Sequence, residues 1–201
     1  MHRDRPLNSL TRLPSVRRFV GLVLMVGVFL LVAGPAVAQD VVRFATFNVA
    51  MGLEEEGELA RRLASGDDEN LKKLAAILQL KRPDVILLNE FDYQEGVDAA
   101  ALFNANYLAV SQRGEDPIAY DYSFSAPVNT GVESGEDIDG DGKIGGPGDA
   151  LGYGTFPGQY GMLVLSRYPI DADGARTFRR FLWSDMPTGL RPYNPDRSSF
   201  W

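Results

Sequence analysis

Beyond residue 40 the apolar residues of this chain fall into three short dense runs, one clear helical repeat and little else. Val41 to Val49 is almost unbroken apolar, β-branched or aromatic sequence, the pattern of a buried strand. Glu54, Glu55, Glu56 and Glu58 then precede Leu59 and Leu63. Acidic side chains suit the first turn of a helix, where they face the positive end of its dipole. The next helix is plainer. Asp67 or Asp68 can cap it, Leu71, Leu74, Ala75 and Leu78 share a face, Lys81 and Arg82 suit its C-terminus, and Pro83 stops it.

A second buried strand is expected over Asp84 to Leu88, delivering Asn89-Glu90-Phe91-Asp92 at its end. Val97 to Phe103 suits a short helix. Ile118 to Ala126 alternates aromatic and polar residues as a strand does. From 127 to 158 the composition turns to glycine and aspartate, marking a long insertion loop. Tyr160 to Leu165 reads as a third apolar strand, followed by Ser166-Arg167-Tyr168-Pro169-Ile170, and a weaker strand is expected over Ala172 to Phe181. Pro187 to Trp201 shows no periodicity and does not read as the finished edge of a domain. No internal repeat is present. Strand, helices, strand and further strands predict a mixed α/β layered architecture.

Residues 1–38 read as an address rather than as part of the fold. Arg3, Arg5, Arg12, Arg17 and Arg18 precede an uncharged run from Phe19 to Ala38, and Gly34-Pro35 breaks it before Ala36-Val37-Ala38. Twenty apolar residues can also span a bilayer as an uncleaved anchor. The small-residue site and Pro35 favour cleavage after Ala38, which predicts a secreted or periplasmic protein with no stable membrane association afterwards. Residues 39–201 are then the domain.

The leader carries much of the positive charge. The chain has 20 basic and 27 acidic residues, and five arginines and Asp4 fall in the leader, leaving a net charge of −11. Such a surface disfavours non-specific polyanion binding by charge alone. Bound divalent cations reverse the local sign, so phosphates are still accessible to it. There is no cysteine, which excludes disulfides, thiolate metal sites and cysteine nucleophiles.

Asn48 and Glu90 each end an expected strand, and in layered α/β proteins those ends face the ligand crevice. Glu90 is a hard-oxygen ligand of the kind Mg²⁺ accepts, since that ion takes one or two carboxylates and keeps several waters. Asn48 offers an amide to that carboxylate or to a phosphoryl oxygen. Position alone equally allows two polar residues capping turns.

Phe44-Ala45-Thr46-Phe47-Asn48, Arg82-Pro83-Asp84-Val85-Ile86-Leu87-Leu88-Asn89-Glu90 and Gly161-Met162-Leu163-Val164-Leu165-Ser166-Arg167-Tyr168-Pro169-Ile170 come in the order and spacing of the endonuclease/exonuclease/phosphatase superfamily. The chain resembles that superfamily over most of Val41 to Asp185, and among its members the secreted bacterial ones. The resemblance implies a DNase I-like four-layer sandwich of two mixed β-sheets flanked by helices. It also implies Mg²⁺-dependent hydrolysis of a phosphate ester, with nucleic acid or a small phosphodiester as substrate. Glu90 would hold the Mg²⁺ and Asn48 would be a hydrogen-bond partner in the phosphate site. Asn89 stands where many members have glutamine.

The family's further chemistry uses a histidine followed by an aspartate, a Gly-Asp-x-Asn segment and a terminal Asp-His pair. The only histidine here is His2, in the leader. Asp185 and Asp196 do not lie in those motifs. The expectation is therefore an N-terminal portion of the sandwich, incomplete at its C-terminus, whose first sheet would leave an apolar inner face exposed.

A second constellation is Asp137-Ile138-Asp139-Gly140-Asp141-Gly142-Lys143-Ile144. Carboxylates at alternate positions, glycine at the sixth and an apolar eighth match the start of an EF-hand-type loop. Asp137, Asp139, Asp141 and the Lys143 carbonyl would hold a structural Ca²⁺. Position twelve is Gly148, and Asp149 comes one residue late. A solvated loop of Asx turns is the alternative. Asn129-Thr130-Gly131 and Gln159-Tyr160 bracket the insertion, so Asn129 and Tyr160 are candidates to line a substrate cleft, or else a turn residue and a core aromatic. Arg167 is a candidate phosphate contact or a solvent-facing turn residue. The leading expectation is a secreted metal-dependent phosphoesterase. The alternative is a catalytically dead, calcium-stabilised extracellular binding module on the same scaffold.

Overall fold

The computed structural model describes residues 41–190. The expected leader, its cleavage site and the stretch 191–201 lie outside the described residues. Strands β1 (Phe44–Met51), β2 (Val85–Phe91), β3 (Tyr122–Phe124) and β4 (Met162–Ser166) form one mixed sheet in the order β1-β2-β4-β3. β1 and β2 are parallel, whereas β4 runs antiparallel to both β2 and β3. Parallel neighbours need a long crossover. Helices α1 (Glu58–Ser65) and α2 (Glu69–Lys81) supply it between β1 and β2.

Local sequence explains the crossover. Asp68 caps α2, its side chain accepting from the Asn70 and Leu71 amides at 2.9 Å each. Arg82 ends the helix in a left-handed conformation at φ 47°, its amide donating to Leu78 O at 2.8 Å, and Pro83 follows. Gly57 precedes α1 at φ 76°, so of the four clustered glutamates only Glu58 lies inside the helix. Helix α3 (Ala99–Phe103) begins after Asp98, which accepts from the Ala101 amide at 2.9 Å. It runs on into a π-helical turn, Asn104–Leu108, absent from the expectation.

One face of the sheet holds the core. Ile86 and Leu88 of β2, with Leu163 and Leu165 of β4, join Leu71, Leu74 and Leu78 of α2 and Phe103 of α3 in one buried cluster. Strand alternation sends Val85, Leu87 and Val164 to the opposite face, where they are half-buried. On that face Phe44 and Met162 are exposed. A mixed sheet with helices packed on it is consistent with the DNase I-like fold.

Two expected strands differ. Ile118 and Tyr120 are buried in alternation, as expected, yet only Tyr122–Phe124 pairs in the sheet. The Ile118 amide donates to Leu108 O and the Tyr120 amide to the Asn104 side chain, so these backbone groups are satisfied elsewhere. The strand expected over Ala172 to Phe181 is a series of exposed turns. Its backbone closes locally, Ala175 onto Ala172 and Phe181 onto Phe178, with no ladder partner.

The 127–158 insertion has no strand of its own. It is closed at its base by bridges between Thr130 and Gly152 and between Glu133 and Ala150. Gly131 is needed there, because a Cβ would stand 1.8 Å from Phe156 O and φ is +71°.

Candidate functional site at the ends of two parallel strands

The parallel β1/β2 ladder brings Asn48 opposite Asn89, and the next aligned pair is Met51 opposite Phe91, three residues on along β1 but two along β2. Val49 and Ala50 on β1 therefore face the single residue Glu90 on β2, which is a β-bulge. Ala50 takes φ 50° and Glu90 φ 54°, values that favour glycine, yet neither is one. The bulge re-aims both side chains. Asn48 Nδ2 donates to Glu90 Oε1 at 2.6 Å, and Asn48 Oδ1 accepts from the Ala50 amide at 3.0 Å.

Asn48 thus binds the carboxylate, one of the two roles its position allowed. Asn89 Nδ2 donates to Thr46 Oγ1 at 2.9 Å. Thr46, Asn48, Asn89 and Glu90 form a polar strip at the C-terminal ends of β1 and β2. Among the described residues the second Glu90 oxygen accepts no protein hydrogen bond, and the residue is half-buried. One open carboxylate oxygen beside an amide that fixes its partner fits a magnesium ion that keeps most of its waters.

Beyond the bulge the strands are held by Asp92, which is buried. Its Oδ2 accepts from the Leu53 amide at 2.8 Å and its Oδ1 from the Tyr160 amide at 2.9 Å. Burial pushes this carboxyl up from the ordinary range, and the two backbone hydrogen bonds pull the other way. Tyr160, at φ 54°, lays its ring against Gly52, where a Cβ would stand 2.1 Å from the ring. The structure therefore puts Tyr160 at the rim of the strand ends. Gln159 is also buried, donating to Leu53 O at 2.6 Å and accepting from Thr155 N at 2.7 Å.

One other sequence candidate stands apart from Glu90. Arg167 lies at the far end of the sheet, where its guanidinium pairs with Asp84 at 3.2 Å and its amide donates to Asp84 O. Asp84 immediately precedes β2 and Glu90 is near its end, six residues on, or about 20 Å along a strand. Arg167 is thus a partner of Asp84 and is not brought to the polar strip. Asn129 has its amide engaged at both ends with Arg179, donating to its backbone carbonyl at 2.9 Å and accepting from its Nε at 3.1 Å.

In the insertion, Asp137, Asp139 and Asp149 converge so that one oxygen from each lies within 4.8 Å of the others. Asp149 is buried and accepts from the Ile138, Asp139 and Gly145 amides. Desolvation raises its pKa, but the hydrogen bonds outweigh it and the net shift is downward. Asp137 accepts from Gly140, Asp141 and Gly142. Asp141 does not join the three; its carboxylate instead accepts from the Lys143 amide at 2.8 Å. A Cβ at Gly148 would meet Asp139 Oδ2 at 2.1 Å. A side chain at the twelfth position would thus displace Asp139, and the carboxylate that converges on this loop is Asp149, one residue on.

A wide groove between the β1–α1 connection and the start of α2 is lined by Gly52, Leu53, Glu58, Arg61 and Arg62. Its arginines are engaged, Arg61 by Glu55 at 3.0 Å and Arg62 by Glu58 and Asp68. The groove adjoins the strand ends but does not include Glu90.

The model of the endonuclease/exonuclease/phosphatase family matches residues 45–201, and the chain belongs to that family, which makes its mixed α/β sheet a phosphoesterase- and nuclease-like scaffold. No curated protein and no solved structure matches the chain.

Proposed function

We propose that this protein is a secreted, Mg²⁺-dependent phosphoesterase acting on a phosphodiester or phosphomonoester, with Glu90 as the metal-holding carboxylate. The observation that carries this reading is the Asn48–Glu90 hydrogen bond of 2.6 Å at the ends of adjacent parallel strands, in a member of this family. Bound there, magnesium would supply charge stabilisation at a phosphoryl oxygen and at the leaving oxygen. Asn48 fixes one Glu90 oxygen and leaves the other directed to the ligand. Asn89 and Thr46 restrain the neighbouring stretch of both strands. Tyr160 and Gly52 shape the rim that a substrate would meet.

Residues 39–201 contain no histidine. The reading therefore draws no histidine general base from this stretch and gives the holding of the metal to Glu90 and the orientation of that carboxylate to Asn48. The arginine-rich leader and small-residue cleavage site support export, with no lasting membrane association after cleavage.

The test is calorimetric Mg²⁺ binding to the purified chain, alongside metal-dependent release of p-nitrophenol from bis(p-nitrophenyl) phosphate. Glu90→Gln is expected to remove the Mg²⁺ heat. Equal Mg²⁺ affinity in wild type and Glu90→Gln would overturn the reading.

The insertion supports a second reading, a calcium-stabilised binding module that has lost catalysis. The convergence of Asp137, Asp139 and Asp149 favours it. Those three, with Asp141 and the Lys143 carbonyl at the margin, would hold a structural Ca²⁺. The two readings separate on whether Ca²⁺ alone raises stability while phosphoester hydrolysis is absent at every Mg²⁺ concentration.

A further inference from the structure

Asp92 lies two residues beyond Glu90 but does not point into the polar strip. Its carboxylate is buried, and its oxygens are divided between two separate connections. One takes the Leu53 amide, 39 residues away in the β1–α1 connection, and the other takes the Tyr160 amide, 68 residues away after the insertion. Its own amide donates to Met51 O at 3.2 Å, closing the β1/β2 pairing on the far side of the bulge. Gln159 braces the same junction by donating to Leu53 O across 106 residues. The Phe91 and Tyr93 amides donate to Gly161 O and Gly158 O, so the end of β2 and the close of the insertion are laced together.

The bulge itself is conformationally expensive. A left-handed backbone is disfavoured for a non-glycine residue, and both Ala50 and Glu90 adopt one. Such a geometry persists only where its surroundings over-determine it. On the near side the regular β1/β2 ladder does this. On the far side, among the described residues, Asp92 is the buried side chain that ties the end of β2 to both neighbouring connections.

We infer that Asp92, braced by Gln159, is a positioning residue for the Asn48–Glu90 pair. It clamps the far side of the bulge and couples the 127–161 segment to the metal-holding carboxylate. The inference rests on the proposed role of Glu90 for its consequence in metal affinity, but not for its geometric content. Orienting partners of a metal ligand commonly govern affinity by 10–100-fold.

The experiment uses ¹⁵N-labelled protein, reading the Asn48 side-chain amide resonance without metal and Mg²⁺ affinity by titration. Asp92→Asn places an amide NH₂ against one of two backbone N–H groups. It is expected to move the Asn48 resonance towards that of a free amide and to weaken Mg²⁺ about tenfold. Gln159→Met keeps the volume, removes the brace, and is expected to move the Asn48 resonance the same way. If Asp92→Asn does not fold, Gln159→Met decides the question. Should the Leu53 and Tyr160 backbone amides move while Asn48 and Mg²⁺ affinity stay put, Asp92 is merely structural and the inference fails. Should Glu90→Gln bind Mg²⁺ like wild type, the functional reading fails, while the Asn48 resonance still decides the clamp.

Discussion

Asn48 and Glu90, 42 residues apart, meet at 2.6 Å because β1 carries one residue more than β2 between two aligned pairs. The extra residue, and not simply a favourable choice of side chains, turns two strand-end polar groups into a pair. Removing the amide should therefore act on the carboxylate's orientation and leave the fold alone. Asn48→Ala is expected to weaken Mg²⁺ binding about tenfold, with an unchanged far-ultraviolet circular dichroism spectrum. Unaltered affinity would show that Glu90 holds its geometry unaided.

The insertion's base is more demanding than its tip. Gly131→Ala drives a Cβ into Phe156 O, whereas Gly135→Ala, at φ +83°, meets nothing within 4 Å. The first substitution is expected to cost more than about 3 kcal/mol and the second about 1 kcal/mol. Urea unfolding of the two variants beside wild type measures the difference, and equal midpoints for the two would contradict the packing described.

The acid limb of stability should report Asp84. Its carboxylate accepts from the Arg43 amide at 2.8 Å and from the Arg167 guanidinium at 3.2 Å. The backbone hydrogen bond is the largest cause holding its pKa below the ordinary 3.8, with desolvation opposing and Arg167 assisting. A carboxyl depressed on folding contributes fully above its unfolded pKa and loses that contribution as pH falls through the folded one. Asp84→Asn should therefore lower the urea midpoint at neutral pH and flatten its decline below about pH 4. A variant that keeps the wild-type slope places the acid sensitivity elsewhere.

Calcium should act through Asp149. The wild-type melting temperature is expected to climb with Ca²⁺ concentration, since a ligand bound only by the folded state stabilises it. Asp149→Asn should abolish that dependence, and Asp141→Asn should weaken it less, because Asp141 stands outside the converging three. A Ca²⁺ response that survives Asp149→Asn would move the ion away from this loop.

Core packing gives a prediction independent of any site. Phe103 is fully buried and its ring lies 6.1 Å from that of Phe91 and 6.0 Å from that of Tyr107. Phe103→Ala is expected to cost about 3–5 kcal/mol, read from denaturant midpoints. A loss below about 1 kcal/mol would mean that the site collapses around the cavity.

Short-range physics was legible in the sequence, and long-range physics was not. Asp68, the leucine face of α2 and Pro83 announce a helix because capping, periodicity and termination act within a few residues. The apolar runs likewise yield β1, β2 and β4 to within a few residues of their ends. The bulge leaves no such trace, because Ala50 and Glu90 adopt left-handed backbones without a glycine to mark them. Asp92 and Gln159 act across 39 to 106 residues, a distance over which no local pattern is informative. Arg167 could be named as polar and placed after a strand, but which end of the sheet it reaches depends on β4 running antiparallel to β2.

The bulge also makes the site a matter of counting. Side chains in a strand change face at every step, so deleting Val49 or Ala50 would remove the bulge and leave a single β1 residue opposite Glu90 between the two aligned pairs. Every side chain of the site would still be present in the sequence, yet Asn48 and Glu90 would no longer meet. In this protein the spacing of the backbone is inherited along with the residues, and the pair depends on that count as much as on its two side chains.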